Sequence, residues 1–465
     1  MNNNRKTHTL LNLITDFETL IEKGEVGIFE RSEFLSLIHY YQEEQLIDKA
    51  IEVVDIALEQ FKYNVEFYIA KARLLLAKNS PKLSLPLIEH AEKISPYEVD
   101  VQILKAKAFS KMGNTIESKA ILGNLGTVVD MHILVEIGLC ESYIFEAEKD
   151  FEQMYLKLKE VLKMAPQNEE ALEKINYASM LSRRFEENID FHQTLLDINP
   201  YNYLAWYNLG QSYSNIHEYE EAIDAMEYSF LINEDFESGY LDCADLCVQI
   251  NKLERAVDIY KDYLNRFDKD PFVLVNLASC LKELGVLPEA RKLTLEAIKL
   301  DPYNDEAYYL LAEIYQKESR WENALNAYYK AIELDDSREE YYAGLANMYD
   351  KLNEPEKALK YFDQVIELEP SEEQYYLDYI SFLFRHQLYN RALRIIKISE
   401  DNVYSPDIIY YKIASLWKMG KKSRVLSLLD LALEESYDNH QLLHTLIPDA
   451  MKDASIVDVI KYYKK

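Results

Sequence analysis

Glycine and proline are scarce, 11 and 12 residues in 465. With so few breakers and abundant Leu, Ala, Glu and Lys, helices are favoured over sheets. Basic residues are also in deficit, 51 Lys and Arg against 81 Asp and Glu, for a net charge of −30. Such a chain repels phosphate backbones and anionic membrane surfaces, so no nucleic-acid partner is expected. The densest basic spots, Lys421-Lys422-Ser423-Arg424 and a tail with Lys461, Lys464 and Lys465, are short. No apolar run approaches the length of a membrane helix, so no membrane insertion is expected. The four cysteines are Cys140, Cys243, Cys247 and Cys280. Residues 1 to 9 are polar, and Leu10–Asp16 is interrupted by polar residues before a signal-peptide core can form. A reducing, cytoplasmic setting is the simplest reading. Gly-rich phosphate loops, a Gly-x-Ser-x-Gly elbow and a His-Glu-x-x-His pair are all absent, so no enzyme and no cofactor is expected.

What is present is self-similarity. From Tyr203, apolar or small residues fall at Trp206, Leu209, Gly210 and Tyr213, one stripe of an α-helix. A second stripe follows at Ala222, Met226 and Ser229. Two amphipathic helices so close should form an antiparallel hairpin. Adding 34 gives Tyr240, Cys243, Ala244, Cys247, then Leu274, Leu277, Ala278, Leu281. The same step continues through Tyr308, Leu311, Ala312, Tyr315 and Tyr342, Leu345, Ala346, Tyr349. Earlier units begin at Arg31, Val65, Val99, Val135 and Glu169, and a last one at Asp407, whose second stripe slips to Val425, Leu429 and Ala432. The small eighth position (Ala72, Ala106, Gly210, Ala244, Ala278, Ala312) lets two helix backbones approach closely. The eleventh, usually large, fills the space between neighbours. The abundant tyrosines are therefore packing residues.

Trp206, Leu209, Gly210, Tyr213 and Ala222 resemble, residue for residue, the pattern of the tetratricopeptide repeat. Met226 and Glu234 depart from it, at the second aromatic and at the closing proline. Other units do close on Pro96, Pro166, Pro200, Pro302 and Pro370. The expected fold is all-α, a right-handed superhelical solenoid of about twelve antiparallel helix-turn-helix repeats of 34 residues. The expected organisation is a leader and helix in 1–30, less regular repeats in 31–134, a regular array in 135–440 and a capping helix in 441–465. Such arrays bind without doing chemistry, so the resemblance implies a protein-binding scaffold or adaptor. An RNA-associated helical repeat is the alternative, disfavoured by the acidity.

The pattern breaks in three places. The unit from Val99 is two residues too long and contains Gly123 and Gly126, a candidate bend. Pro86 falls inside a second helix and should kink or shorten it. Pro288 and Pro355 stand where second helices begin, where proline is tolerated.

Three clusters are candidate sites. Cys243 and Cys247, with Cys280, could in principle hold a metal, but the first two sit where packing residues belong, so no metal is expected there. His440 and His444, spaced i, i+4, lack a third ligand. Glu339-Glu340 and Glu372-Glu373 begin first helices, where carboxylates favour the helix N-terminus. The binding surface is expected opposite the packed stripe, at first-helix positions two, six, nine and thirteen. In tetratricopeptide proteins this side lines the concave groove. Here it places Asn208, Asp242 and Asn276 at sixth positions and Gln211, Asp245, Ser279 and Glu313 at ninth positions, with Tyr207 and Tyr309 beside them. A row of Asn side chains can donate to and accept from an extended backbone. The acids Asp242, Asp245 and Glu313 point to a basic or polar extended protein or peptide ligand.

Overall fold

Just beyond each first helix the backbone crosses into the left-handed region, and that crossing makes the hairpins. In the computed structural model, which describes residues 2–23, 27–125 and 130–463 (side chains from residue 10), these crossings recur at the repeat spacing. Gln45, Asn79, Lys149, Arg183, His217, Asn251, Ser319, Asn353 and Gln387 have φ between 51° and 68°. Gly113, Gly285 and Gly420 occupy the equivalent places at 74° to 80°. The next amide then reaches back to the first helix. Leu46 N–H donates to the Tyr41 carbonyl at 2.8 Å, Glu218 to Tyr213 at 3.0 Å and Val286 to Leu281 at 2.8 Å. This pairing satisfies carbonyls that a helix end would otherwise leave open.

All regular structure among the described residues is helical. It divides into two compact units, Met1–Leu246 and Cys247–Lys465. In the first unit, first and second helices alternate as Arg31–Glu43 and Ile47–Gln60, Val65–Ala77 and Pro81–Ile94, and so on to Tyr203–Asn215 and Tyr219–Ile232. In the second unit the alternation runs from Pro271–Glu283 and Leu287–Leu300 to Pro406–Lys418 and Lys422–Glu435. Asn64, Asn168, Asn202 and Asn304 cap first helices by accepting from backbone N–H groups two or three residues on. The helix Asn2–Glu22 precedes the first hairpin and buries Ile14 and Phe17 in its core.

The small positions do what their size allows. Ala72, Ala106, Ala244, Ala278, Ala312 and Ala346 are fully buried. At Gly210 a Cβ would stand 2.7 Å from Met226 Cγ and 2.8 Å from the Ala222 carbonyl oxygen, so only glycine permits that approach. In the second unit, Phe362, Tyr379, Phe382 and Leu383 build one core with Tyr328 and Tyr349. Most tyrosines predicted to pack do so.

Four local expectations change. Pro86 leaves its helix, Pro81–Ile94, unshortened. Both Pro86 and Lys82, whose carbonyl loses its partner, are exposed, so water can satisfy the freed oxygen. The unit expected to begin at Val135 begins earlier, because Asp130 caps a longer helix, Met131–Ala147, by accepting from His132 and Ile133. The preceding second helix, Thr115–Asn124, is short and ends next to Gly123, while Gly24 and Gly126 lie outside the described residues. The tail is two short helices, Gln441–Leu446 and Ala454–Tyr463, broken at Ile447-Pro448. Leu443, Ile447, Ala450 and Ile456 still pack against Val425 and Leu429. The last unit's one-residue slip lies in its turn, which crosses at Gly420, one place early.

Candidate binding surface

The predicted surface residues fall in both units, and each set has its own geometry. In the first unit, Tyr207 of the helix Tyr203–Asn215 donates its hydroxyl to the Asp242 carboxylate. Gln211, one turn along, donates to the same Asp242 oxygen at 2.8 Å and to Tyr207 Oη at 3.1 Å. The Phe236 ring meets Tyr207 edge-on at 5.0 Å. Burial first, and then Asp242, push the Tyr207 hydroxyl well above the usual tyrosine range. The two donors to Asp242 are neutral, so its negative charge is oriented without being cancelled. Asp245 is exposed on the same helix, Glu237–Gln249.

Asn208 departs from the expected ladder, being 2% exposed. Its amide donates to the Leu172 carbonyl at 2.7 Å and lies 3.3 Å from His192 Nε2. The reason is stacking: Asn208 faces the preceding first helix, Glu169–Ser182, rather than an open wall. Beside it Asn188 donates to Ser212 Oγ at 2.8 Å, and His192 Nδ1 pairs with the Asn188 carbonyl at 2.8 Å. Asn208 thus belongs to a buried polar knot, in which Asn188 Oδ1 has no partner.

In the second unit, Asn276 is half-buried with its amide 3.5 Å from Tyr260 Oη, and Ser279 is half-buried one turn further on. Tyr309 lies 5.0 Å from the Tyr341 ring and 5.9 Å from Tyr328. Burial, reinforced by the charges of Glu313 and Glu340, raises its hydroxyl above the usual range. Glu313 accepts from Lys282 at 2.5 Å. Burial of Lys282 disfavours its charge, but Glu313 and Glu283 outweigh that and hold the ammonium above the ordinary lysine range. Glu313 therefore faces a cation already, unlike Asp242.

A further surface escaped the residue pattern. Four cavities adjoin one another along first helices of the first unit. One of about 910 Å³ shares Leu35 and His39 with a second of about 800 Å³. The second shares Gln42 and Arg73 with a third of about 430 Å³, which shares Lys111 and Tyr143 with a fourth of about 590 Å³. A signal existed: Arg73 and Lys107 put cations at ninth positions where Gln211, Ser279 and Glu313 stand later. The cysteines are all buried, and His440 Nδ1 is occupied by the Tyr437 carbonyl. Among the described residues no group of three or more His, Cys, Asp or Glu could hold a metal, and no helix is long and apolar enough to cross a membrane.

Comparison with known proteins points the same way as the spacing. Tetratricopeptide repeat models match residues 339–372 and, separately, 193–224 and 293–326. The chain is 20% identical over 313 residues to TPR repeat-containing protein YpiA of Bacillus subtilis (strain 168), covering 66% of this chain and 72% of that protein. Among solved structures, it is similar to YrrB, a TPR protein with an unusual peptide-binding site, at 17% identity and a TM-score of 0.34 over 40% of this chain and 94% of that one. It is also similar to a tetratricopeptide repeat protein from Parabacteroides merdae ATCC 43184, at 17% identity and a TM-score of 0.37 over 52% of this chain and 96% of that one.

Proposed function

Because the chain is a tetratricopeptide repeat protein, we propose that it is a non-enzymatic scaffold whose first-helix faces hold an extended, basic or polar segment of a protein partner. Tetratricopeptide repeat proteins in general mediate protein–protein interactions; the groove and the ligand's charge are the finer part of the reading. In the first unit the residues assigned are Tyr207, Gln211, Asp242 and Asp245, with Asn208 left out because its amide is spent inside the packing. In the second unit they are Asn276, Ser279, Tyr309 and Glu313. The observation that carries the reading is the Asp242 carboxylate, steered by two neutral donors and left with its charge for a cationic or hydrogen-bonding ligand. The four thiols are buried, which suits the cytoplasmic setting we assign.

The test is affinity purification of tagged wild-type chain and of Tyr207→Phe/Asp242→Asn, compared by quantitative mass spectrometry. The expected result is loss of the wild-type partners with helicity retained. Undiminished recovery by a folded variant would sink the assignment.

A further inference from the structure

Tyr143 stands between two cavities of unlike charge in the unit Met1–Leu246. The 430 Å³ cavity is lined by the carboxylates of Glu136, Glu169, Glu170 and Glu173, against the cations Arg73, Lys107 and Lys111. The 590 Å³ cavity has only Lys111, Lys174 and Glu146 as its charged lining. In a chain of net charge −30, a cavity with two cations and one carboxylate is out of character.

The two ammoniums are gathered on one ring. Lys174 Nζ lies 4.1 Å from the Tyr143 ring centroid, and Lys111 Nζ lies 4.7 Å from it. Each is drawn to the ring face, which holds together charges that would otherwise repel. Their carboxylate support is uneven. Lys174 has Glu146 to itself as an ion-pair partner. Glu170, by contrast, accepts from Tyr143 Oη at 2.6 Å and Lys107 at 2.7 Å, and reaches Lys111 only at 3.6 Å. Lys111 otherwise donates to the Leu76 carbonyl at 3.3 Å. Burial holds its ammonium below the ordinary lysine range; Glu170 opposes this, while Lys107 and Lys174 add to it. Lys111 is an under-neutralised cation at a cavity wall.

We propose that the cavity bounded by Lys111, Tyr143 and Lys174 takes the carboxylate of an acidic side chain from an extended segment of a protein partner. The carboxylate accepts from both ammoniums, and the second charge-assisted bond relieves the repulsion between them. Met112 and Ala147 line the same cavity and give the side-chain methylenes an apolar seat. The acidity of the whole chain opposes such a partner at long range, but at about 0.15 M salt that repulsion is screened over about 8 Å. This surface has the opposite charge preference to the one around Asp242 and shares no residue with it.

The experiment titrates fluorescein-labelled hexaglutamate into the full chain at physiological salt and follows anisotropy. Saturable binding is expected, weakened about tenfold, about 1.4 kcal/mol, by Lys111→Gln/Lys174→Gln. Ala147→Trp, which fills the cavity and keeps both lysines, should weaken it comparably and decides the matter if the lysine variant loses helicity. Tyr207→Phe/Asp242→Asn should leave hexaglutamate binding unchanged, so this site and the scaffold reading fail separately. Absence of saturable binding to the wild type, equal binding by Ala147→Trp, or tighter binding of hexalysine that is lost in the same variants would overturn the proposal. So would full displacement by inorganic phosphate at the peptide's own concentration, which would make this a small-anion site.

Discussion

Two second helices of the first unit, consecutive in the repeat, are built to different standards. Phe151–Met164 buries Met154, Tyr155, Leu158, Val161 and Leu162 completely. Thr115–Asn124 buries only Ser118, whose hydroxyl donates to the Ala106 carbonyl at 2.9 Å. Its apolar residues do not replace that lost packing: Ile116 is 79% exposed, and Ile121 and Leu122 are only half-buried beside Ile103, Ala106 and Cys140. The next first helix, Met131–Ala147, rests more on Val99–Lys111 than on Thr115–Asn124. In a stack whose stability is a sum of hairpin and neighbour terms, a poorly buried hairpin arm sets a local minimum. Helix formation is therefore not the same thing as helix burial, and only the second holds a repeat in place.

The largest test of that contrast is side-chain truncation. Leu158→Ala should cost about 2–5 kcal/mol, because a fully buried Leu leaves both lost transfer energy and a cavity. Ile121→Ala should cost less, about 1–2 kcal/mol, since part of its surface already meets water. Local opening free energies from native-state hydrogen exchange, followed by mass spectrometry, check both. Equal costs would remove the distinction between the two helices.

Acid should bring a well-packed helix toward the looser one. His192, in Phe185–Ile198, is fully buried in the polar knot, and burial lowers its pKa to about 4, the Asn188 carbonyl opposing. In the unfolded chain the ring titrates near 6.5. Between these values the unfolded state binds the extra proton, so stability is complete above pH 6.5, declines as pH falls and levels off below about 4. The loss should total about 3 kcal/mol. Urea midpoints from pH 7 to 4.5 should fall more steeply for the wild type than for His192→Gln. Parallel slopes would mean that the ring does not govern this window.

The positions of the hairpins were legible because packing repeats at fixed spacing. Trp206, Leu209 and Gly210 and their equivalents each have one permitted role. The left-handed turn residues were not legible, since Gln45, Lys149, Arg183 and His217 carry no mark of φ above zero; the turn hydrogen bonds compel them. Asn208 was misplaced because 100° per residue describes one helix alone, whereas this side chain is covered by the helix stacked before it. The cavities along Arg73, Lys111 and Tyr143 depend on gaps between helices, which residue identity reports only indirectly. Pro86 shows the converse: a proline inside a helix does not shorten it where the freed carbonyl reaches water.

The smallest effects come from two glycines whose surroundings are opposite, and they should differ in sign. At Gly210 an added methyl would meet Met226 and the Ala222 carbonyl well inside contact distance. The carbonyl is backbone and cannot give way as a side-chain end can, so Gly210→Ala should cost about 1–3 kcal/mol through overpacking. At Gly123 nothing lies within 4 Å of an added Cβ, and the residue falls inside the last turn of Thr115–Asn124. Its glycine is not required by a close approach or by a positive φ; it costs helix propensity. Gly123→Ala should therefore stabilise that helix, by about 0.5–1 kcal/mol at most and less if the last turn frays. Hydrogen exchange in residues 115–124 should slow in Gly123→Ala and quicken in residues 203–215 in Gly210→Ala. If Gly123→Ala quickens exchange instead, the bend at the end of this helix depends on glycine itself, and the looseness of the segment is a constructed feature rather than a shortage of burial.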